Sequence, residues 1–239
     1  MGRPSGRADL HCHTHYSDGS DSPAAVVAEA RRRRLDVLAV TDHDTLDGAL
    51  LAVDIARRPG GITGLEIVVG EEVTSLDGHI LGLFLKRPVA PGQSAADTVA
   101  DIHRQGGIAI AAHPFWHADE HPGRRRHGVG RLIGEVSFDA VEVRNGGVTL
   151  SMVQANHRAT AEATALGLIG VGGSDAHVRE ALGLAVTAFE GRSAADLRRS
   201  LSAGTVQPLG RAPSPRTLWG YLSWLWARPT GVPISTPAV

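Results

Sequence analysis

The chain has 239 residues, of which 42% are hydrophobic and 21% are charged, and its formal net charge is −1. This balance argues against a protein that coats nucleic acids or membranes, because those partners demand a strong excess of basic residues. The single cysteine, Cys12, excludes an intrachain disulfide, and no apolar run reaches the length of a membrane span. We therefore expect a soluble cytoplasmic protein.

The first predicted strand carries a pair of histidines. Strand side chains alternate between two faces, so His11 and His13 point to one side and Cys12 to the other if residues 8–13 are a strand. Asp18 follows in the next loop. Two imidazoles and a carboxylate near one point are the beginning of a metal site. A histidine pair on a solvated edge strand is the alternative.

The rest of the chain alternates predicted strands and helices. We expect helices near 23–34, 46–57, 93–105, 151–166 and 193–203, and strands near 36–41, 65–74, 79–85, 107–112, 140–143, 168–173 and 183–189. Such alternation implies an α/β fold with a mainly parallel sheet and outer helices, either open or closed into a barrel. We expect this domain to cover residues 1–210.

The composition changes in residues 211–239. Prolines recur there, and three of the four tryptophans are Trp219, Trp224 and Trp226. We expect a Pro/Trp-rich C-terminal tail with a short docked helix over 216–227. The alternative is an exposed segment that contacts a partner or a membrane surface.

Residues that commonly bind metals fall mostly where the predicted strands end. In parallel α/β folds these C-terminal ends form the ligand-binding mouth, so residues distant in sequence meet there. The candidate ligands are His11, His13, Asp18, His43, Glu72, His79, His113, Asp175 and His177. This set exceeds one zinc site and would serve two or three divalent ions with one carboxylate bridging. Imidazole and carboxylate donors suit Zn, Mn or Fe.

Several of these segments resemble, in order along the chain, the motifs of the PHP (polymerase and histidinol phosphatase) family. They are DLHCHTHYSDGSDSP, AVTDHDTLDG, GEEVTS with GHILGLFL, AAHP and GSDAH, within about residues 8–190. The resemblance implies a distorted (βα)7 barrel, with a trinuclear metal centre at its C-terminal mouth.

The resemblance also implies three ligand sets, of which the first two share Glu72. They are His11, His13, Glu72 and Asp175 for the first metal, Glu72, His79 and His113 for the second, and Asp18, His43 and His177 for the third. Two positions stay open. The first is the glutamate: Glu71 adjoins Glu72, and the family pattern Gly-x-Glu favours Glu72 as the ligand. The second is Asp18, which His15 could replace, because some members of the family use a histidine in that loop.

The chemistry expected of such a centre is hydrolysis of a phosphate ester by metal-bound hydroxide. Asp42 and Asp44 flank His43 and are candidates for orienting it or for proton transfer. Arg144 and Arg179 follow strand ends and could contact a phosphate through their guanidinium groups. A surface ion pair is the alternative for each arginine.

The sequence therefore predicts a metal-dependent phosphoesterase that acts on a small phosphorylated metabolite or nucleotide. A different metal-dependent hydrolysis of the amidohydrolase type is one alternative, and a non-catalytic regulatory PHP module is another. The family's exoribonuclease-like members usually carry a sizeable insertion between the His-Pro and Ser-Asp-Ala-His motifs. Here only residues 115–173 lie between them, which disfavours a nucleic-acid substrate but leaves it open.

Overall fold

The computed structural model describes residues 6–58, 64–118 and 126–227. Its strands are β1 (Gly6–Asp9), β2 (Val37–Val40), β3 (Glu66–Ser75), β4 (Gly78–Leu83), β5 (Ile108–Ala111), β6 (Ala140–Asn145), β7 (Gly170–Gly173), β8 (Ala185–Phe189) and β9 (Gln207–Gly210). Its α-helices are α1 (Pro23–Arg32), α2 (Asp47–Arg57), α3 (Ala95–Arg104), α4 (Leu150–Leu166), α5 (Ala194–Ser202) and α6 (Pro215–Ala227).

Local sequence signals account for where several helices begin and end. Hydroxyl side chains accept a backbone N–H three residues on and so cap four helices, namely Ser22 for α1, Ser94 for α3, Thr149 for α4 and Ser193 for α5. Pro23 occupies the first position of α1, where no N–H is needed. Gly167 ends α4 with φ 66°, a conformation that glycine adopts without steric cost.

The strands form one sheet in the order β7-β6-β5-β4-β3-β2-β1-β8-β9. β1, β2 and β3 are parallel, as are β5, β6 and β7. β4 lies antiparallel between the two triplets, and β8 and β9 are antiparallel additions beside β1. The α/β class with a distorted, barrel-like sheet is confirmed, although the sheet of the described residues has nine strands where seven were expected. The short turn at residues 76–77 leaves no room for a crossover helix, so β4 must return antiparallel to β3.

The ends of β1 and β7 approach each other and nearly close the sheet into a barrel. The N–H of His13 donates to the carbonyl of Ala176 at 2.9 Å, and the N–H of Asp175 donates to the carbonyl of His11 at 2.8 Å. A buried apolar cluster then takes residues from every strand between β1 and β8, among them Leu81, Ile110 and Phe189. Only the interior of a nearly closed sheet is shared by all these strands, so this cluster is the barrel core.

Helix α6 is found where a tail helix was expected, and it packs beside the loop that follows β7. The Thr217 hydroxyl is buried and donates to the carbonyl of Glu180 at 3.1 Å. The part of the expected tail at residues 228–239 lies outside the described residues.

No helix within the described ranges is long and apolar enough to cross a membrane. The cytoplasmic location and the domain boundary at residue 210 stay predictions.

A buried carboxylate, that of Asp9 at the end of β1, ties three segments of the barrel together. One oxygen accepts the N–H of Ser174 at 2.8 Å and lies 3.4 Å from the N–H of His11, and the other accepts the N–H of Gly183 at 2.8 Å. Burial raises the pKa of Asp9, and these hydrogen bonds oppose the increase.

We expect Asp9→Ala to lower the free energy of unfolding by about 2–5 kcal/mol, because it leaves buried N–H donors without an acceptor. Urea denaturation of chelator-treated protein measures the change. Asp54→Ala, which removes an exposed carboxylate of α2, is the control and should stay within about 0.5 kcal/mol of the wild type. Equal stabilities for the two variants would contradict the role assigned to Asp9.

Candidate metal centre

The structure brings the nine predicted ligands together at one mouth of the barrel. His11 and His13 follow β1, His43 follows β2, Glu72 and His79 belong to the β3–β4 hairpin, His113 follows β5, and Asp175 and His177 follow β7, with Asp18 in the loop before α1. Among the described residues, three groups of metal-type ligand atoms lie there, each with its atoms within 4.8 Å of one another. The groups share members, so they form one continuous cluster.

The first group is buried and consists of His11, His13, Glu72 and Asp175. Nε2 of His11 is 3.1 Å from Oε2 of Glu72 and 3.2 Å from Nε2 of His13. Nε2 of His13 is 3.2 Å from the same Glu72 oxygen and 3.3 Å from Oδ1 of Asp175. Bonds of about 2.0–2.1 Å to one cation place its ligand atoms about 3.0–3.4 Å apart. The four side chains therefore fit one divalent cation.

The other oxygen of Glu72 faces a different pair of imidazoles. Oε1 is 2.9 Å from Nδ1 of His79 and 3.1 Å from Nε2 of His113. The second group of ligand atoms consists of His43, Glu72 and His79. The structure thus places His43 beside the set that the resemblance implied for the second metal. His113 faces the same Glu72 oxygen as His79.

The third group joins Asp18, His43 and His177 with His13. Oδ1 of Asp18 is 3.1 Å from Nε2 of His177, 3.6 Å from Nδ1 of His13 and 4.0 Å from Nε2 of His43. His15, by contrast, is exposed and belongs to none of the groups found among the described residues. Of the two candidates that the sequence left open, the structure brings Asp18 to the cluster.

Three residues of this mouth have a backbone conformation that is unfavourable for residues other than glycine. Their φ angles are 54° for Asp44, 26° for His113 and 51° for Asp175. Each such conformation costs about 1–3 kcal/mol and persists only where the surroundings impose it. The barrel therefore accepts local strain where it orients candidate ligands.

Charge compensation inside the cluster is strong because the groups are buried. Burial raises the pKa of Glu72 and Asp175, yet the surrounding imidazoles, His11 first, hold both values well below the usual range. Burial lowers the pKa of His13, but hydrogen bonds to Asp175 and Glu72 outweigh it and raise the value to about 10. Burial lowers the pKa of His43 to about 3, which keeps that imidazole neutral. Protons on histidines balance the carboxylates, and a divalent cation would replace them.

Glu142 supports the first group, and sequence reasoning missed it. Oε1 of Glu142 is 3.1 Å from Nδ1 of His11, while Oε2 accepts the N–H of His113 at 2.8 Å. When Nδ1–H of His11 donates to Glu142, Nε2 of the same ring is free to act as a metal ligand. Asn145 completes the arrangement by donating from Nδ2 to Glu142 at 2.9 Å and to Asp175 at 3.1 Å. The sequence did offer a signal for this role, namely the carboxylate of Glu142 inside the apolar strand β6. A buried charge is almost always paired, so such a residue indicates a partner in the interior.

The two aspartates that flank His43 have different surroundings. Asp42 accepts the N–H of Thr14 at 2.7 Å, the Thr14 hydroxyl at 2.8 Å and the Ser17 hydroxyl at 2.7 Å, so it organises the loop after β1. One oxygen of Asp44 accepts the N–H of Thr74 at 2.7 Å, and the other has no hydrogen-bond partner among the described residues. Burial raises the pKa of Asp44.

The two predicted phosphate-binding arginines lie outside the cluster. Arg144 lines a surface cavity of about 430 Å³ with residues of α4, and its side chain packs against Gly210. The expectation that Arg144 reaches a substrate at the metal site does not fit this position. The cause is a register shift between Glu142 and Arg144, which breaks the alternation of side chains along β6. Arg179 is half exposed at the rim, 3.6 Å from Asp21.

We expect Glu142→Gln to weaken metal binding by about 10–100-fold, because an amide holds the His11 ring less firmly than a carboxylate. Metal titration against a competing chelator measures the affinity. Glu71→Gln is the matched control: Glu71 is also buried, but it accepts the N–H of Val89 at 2.9 Å, outside the three ligand groups. Burial raises the pKa of Glu71 to about 7, so a neutral amide resembles its protonated form. An equal loss in both variants would contradict a specific role for Glu142.

Comparisons with known proteins agree with this geometry. A family model described as PHP-associated matches residues 153–206. An uncharacterized protein of Methanocaldococcus jannaschii is 33% identical over 150 residues, which are 58% of this chain and 81% of that protein. Among solved structures, a two-domain protein of Bacteroides vulgatus containing a predicted PHP-like metal-dependent phosphoesterase has a TM-score of 0.69 at 21% identity, over 86% of this chain and 64% of that one.

Two enzymes are similar over shorter stretches. A 5'-3' exoribonuclease of Haemophilus influenzae is 40% identical over 79 residues, which are 31% of this chain and 27% of the enzyme. A 3',5'-nucleoside bisphosphate phosphatase of Chromobacterium violaceum is 36% identical over 89 residues, or 36% of this chain and 30% of that enzyme. The chain thus covers less than a third of either enzyme. Together with the family model, the long archaeal match and the shared fold, these similarities establish that the chain belongs to the PHP family.

Proposed function

We propose that this protein is a metal-dependent hydrolase that cleaves phosphate esters. The observation that carries the proposal is the position of Glu72, whose two oxygens face two different sets of imidazoles. A carboxylate placed in this way can bridge two cations. Clustered divalent ions, when bound, lower the pKa of water near them and neutralise the phosphoryl oxygens during hydrolysis.

We propose that two or three divalent ions, Zn, Mn or Fe, bind at this mouth. His11, His13, Glu72 and Asp175 would hold the first ion, and Glu72 with His79, His113 and the adjacent His43 the second. Asp18, His43 and His177 would hold the third beside His13. The mixed imidazole and carboxylate donors suit each of these metals.

Asp44 is the candidate for proton transfer within this chain. Its fixed oxygen accepts the Thr74 N–H, and its other oxygen is without a hydrogen-bond partner in the described part of the protein. Burial raises the pKa of the Asp44 carboxyl group. Arg179 at the rim is the remaining candidate for contact with a phosphate, in competition with its ion pair to Asp21.

We propose a small phosphorylated metabolite or nucleotide as the substrate class. The bisphosphate phosphatase among the relatives supports this class, and the net charge of −1 gives no general attraction for a nucleic acid. The exoribonuclease relative keeps the 5' end of an RNA as the second candidate. The exposed apolar side chains of α6 support the further prediction that the tail contacts a partner or a membrane surface.

A screen for phosphate release from p-nitrophenyl phosphate, phosphorylated metabolites and nucleotides, and for mononucleotide release from a 5'-phosphorylated oligoribonucleotide, tests this proposal. With added Mn²⁺ we expect hydrolysis by the wild type and a loss of at least about 100-fold in Asp175→Ala, which removes a ligand of the first group. Asp54→Ala on the surface of α2 is the control and should retain wild-type activity.

Equal activity in Asp175→Ala and the wild type would contradict a metal mechanism at this site. A wild type that binds metal yet hydrolyses no member of the panel would instead favour the regulatory alternative. Preference for the oligoribonucleotide over every small substrate would replace the proposed substrate class with the second candidate.

A further inference from the structure

The inner face of α6 contacts two loops that carry candidate ligands. Nε1–H of Trp224 donates to the backbone carbonyl of Asp18 at 3.0 Å, and the Trp224 ring lies 5.2 Å from the ring of His177. One turn earlier, the Tyr221 hydroxyl donates to the backbone carbonyl of Asp175 at 3.4 Å. A single helix thus contacts a residue of the third ligand group from each loop.

These two loops lie outside the regular strands and are held by turn hydrogen bonds and side-chain contacts. Asp18 lies in a turn between β1 and α1, and His177 lies between β7 and the short turn of helix at Arg179–Ala181. The loops meet where the N–H of Ser20 donates to the carbonyl of His177 at 2.8 Å. Trp224 packs on the same junction, so its indole closes over the place where the two loops join.

The first ligand group is held in a different way. His11 is fixed by Glu142 and by the link between the ends of β1 and β7, and Glu72 belongs to the regular strand β3. These supports come from the barrel itself. The third group, in contrast, depends on loops whose outer cover is α6.

We propose that Trp224 is a positioning residue for the third ligand group: it holds Asp18 and His177 in a geometry that one cation can occupy. The inference rests on the proposed function only in that the third group binds a metal. Ligand atoms must stay within about 0.5 Å of their productive positions, so loss of one support affects binding before it affects the fold. Tyr221 assists by packing against Trp224, with its ring 6.0 Å away.

The helix offers a matched control on its opposite face. Trp226 is 89% exposed and Trp219 is 71% exposed, whereas Trp224 is partly buried. Trp224→Phe removes the indole N–H but keeps an aromatic ring, and Trp226→Phe makes the same change where no ligand loop is covered. Thr217 anchors the start of the helix separately, so Trp224→Phe should leave α6 in place.

The experiment counts bound metal by elemental analysis after equilibration of each protein with Mn²⁺ or Zn²⁺ against a competing chelator. We expect Trp224→Phe to weaken one class of site by about 10–100-fold and to leave the tightest site unchanged. Trp226→Phe should match the wild type in number and affinity. Thermal unfolding in chelator should give the same Tm for all three proteins, which separates positioning from a general loss of stability.

Wild-type affinity at every site in Trp224→Phe would overturn the inference and leave the proposed function intact. Equal weakening of all sites together with a lower Tm in chelator would also overturn it, because Trp224 would then support the fold as a whole. A wild type that binds no metal would contradict the proposed function itself.

Discussion

The site depends on the contacts between the buried carboxylate of Glu72 and four imidazoles. His11 and His13 lie against one of its oxygens, and His79 and His113 lie against the other. A carboxylate removed from water is stable only with such compensation, so the barrel must bring the ends of β1 and β5 to the β3–β4 hairpin. The antiparallel β4 is therefore more than a variation in topology. It presents His79 beside Glu72 from the adjacent strand, which a crossover helix after β3 would not do.

A second set of buried polar groups lies around this centre. These groups hold the ends of β1 and β7 together and also position two of the candidate ligands. Asp9 binds the N–H groups of Ser174 and Gly183, and the Asp175 N–H binds the carbonyl of His11. The link between β1 and β7 therefore closes the sheet and also sets the distance between His11 and Asp175. Buried polar networks of this kind are costly unless every member is satisfied, which makes the closure specific to one register. Fold and ligand arrangement consequently depend on the same hydrogen bonds.

The candidate ligands could be predicted from the sequence because the rule that places them is local. A strand that ends in histidine or aspartate in a parallel α/β fold delivers that side chain to the common mouth. Three features needed the tertiary structure. Arg144 was expected near a substrate, but a register shift in β6 turns it towards α4. Glu142 interrupts an apolar strand, and its partner His11 is distant in sequence. The choice of Asp18 over His15 depends on how one loop folds against His177.

The docking of α6 likewise could not be predicted from the hydrophobic pattern of the sequence. Thr217, Tyr221 and Trp224 recur at helical spacing on one face of α6, and Leu218, Leu222 and Leu225 recur on another, so hydrophobic pattern alone cannot say which face docks. Gly220 lies on the docked face. A Cβ at this position would lie 3.1 Å from a Glu180 carboxylate oxygen and 3.4 Å from Val178, so a larger residue would require these side chains to shift. The face that docks is defined by contacts with residues distant in sequence: Trp224 meets Asp18 in the loop after β1, while Trp219 and Trp226 face solvent.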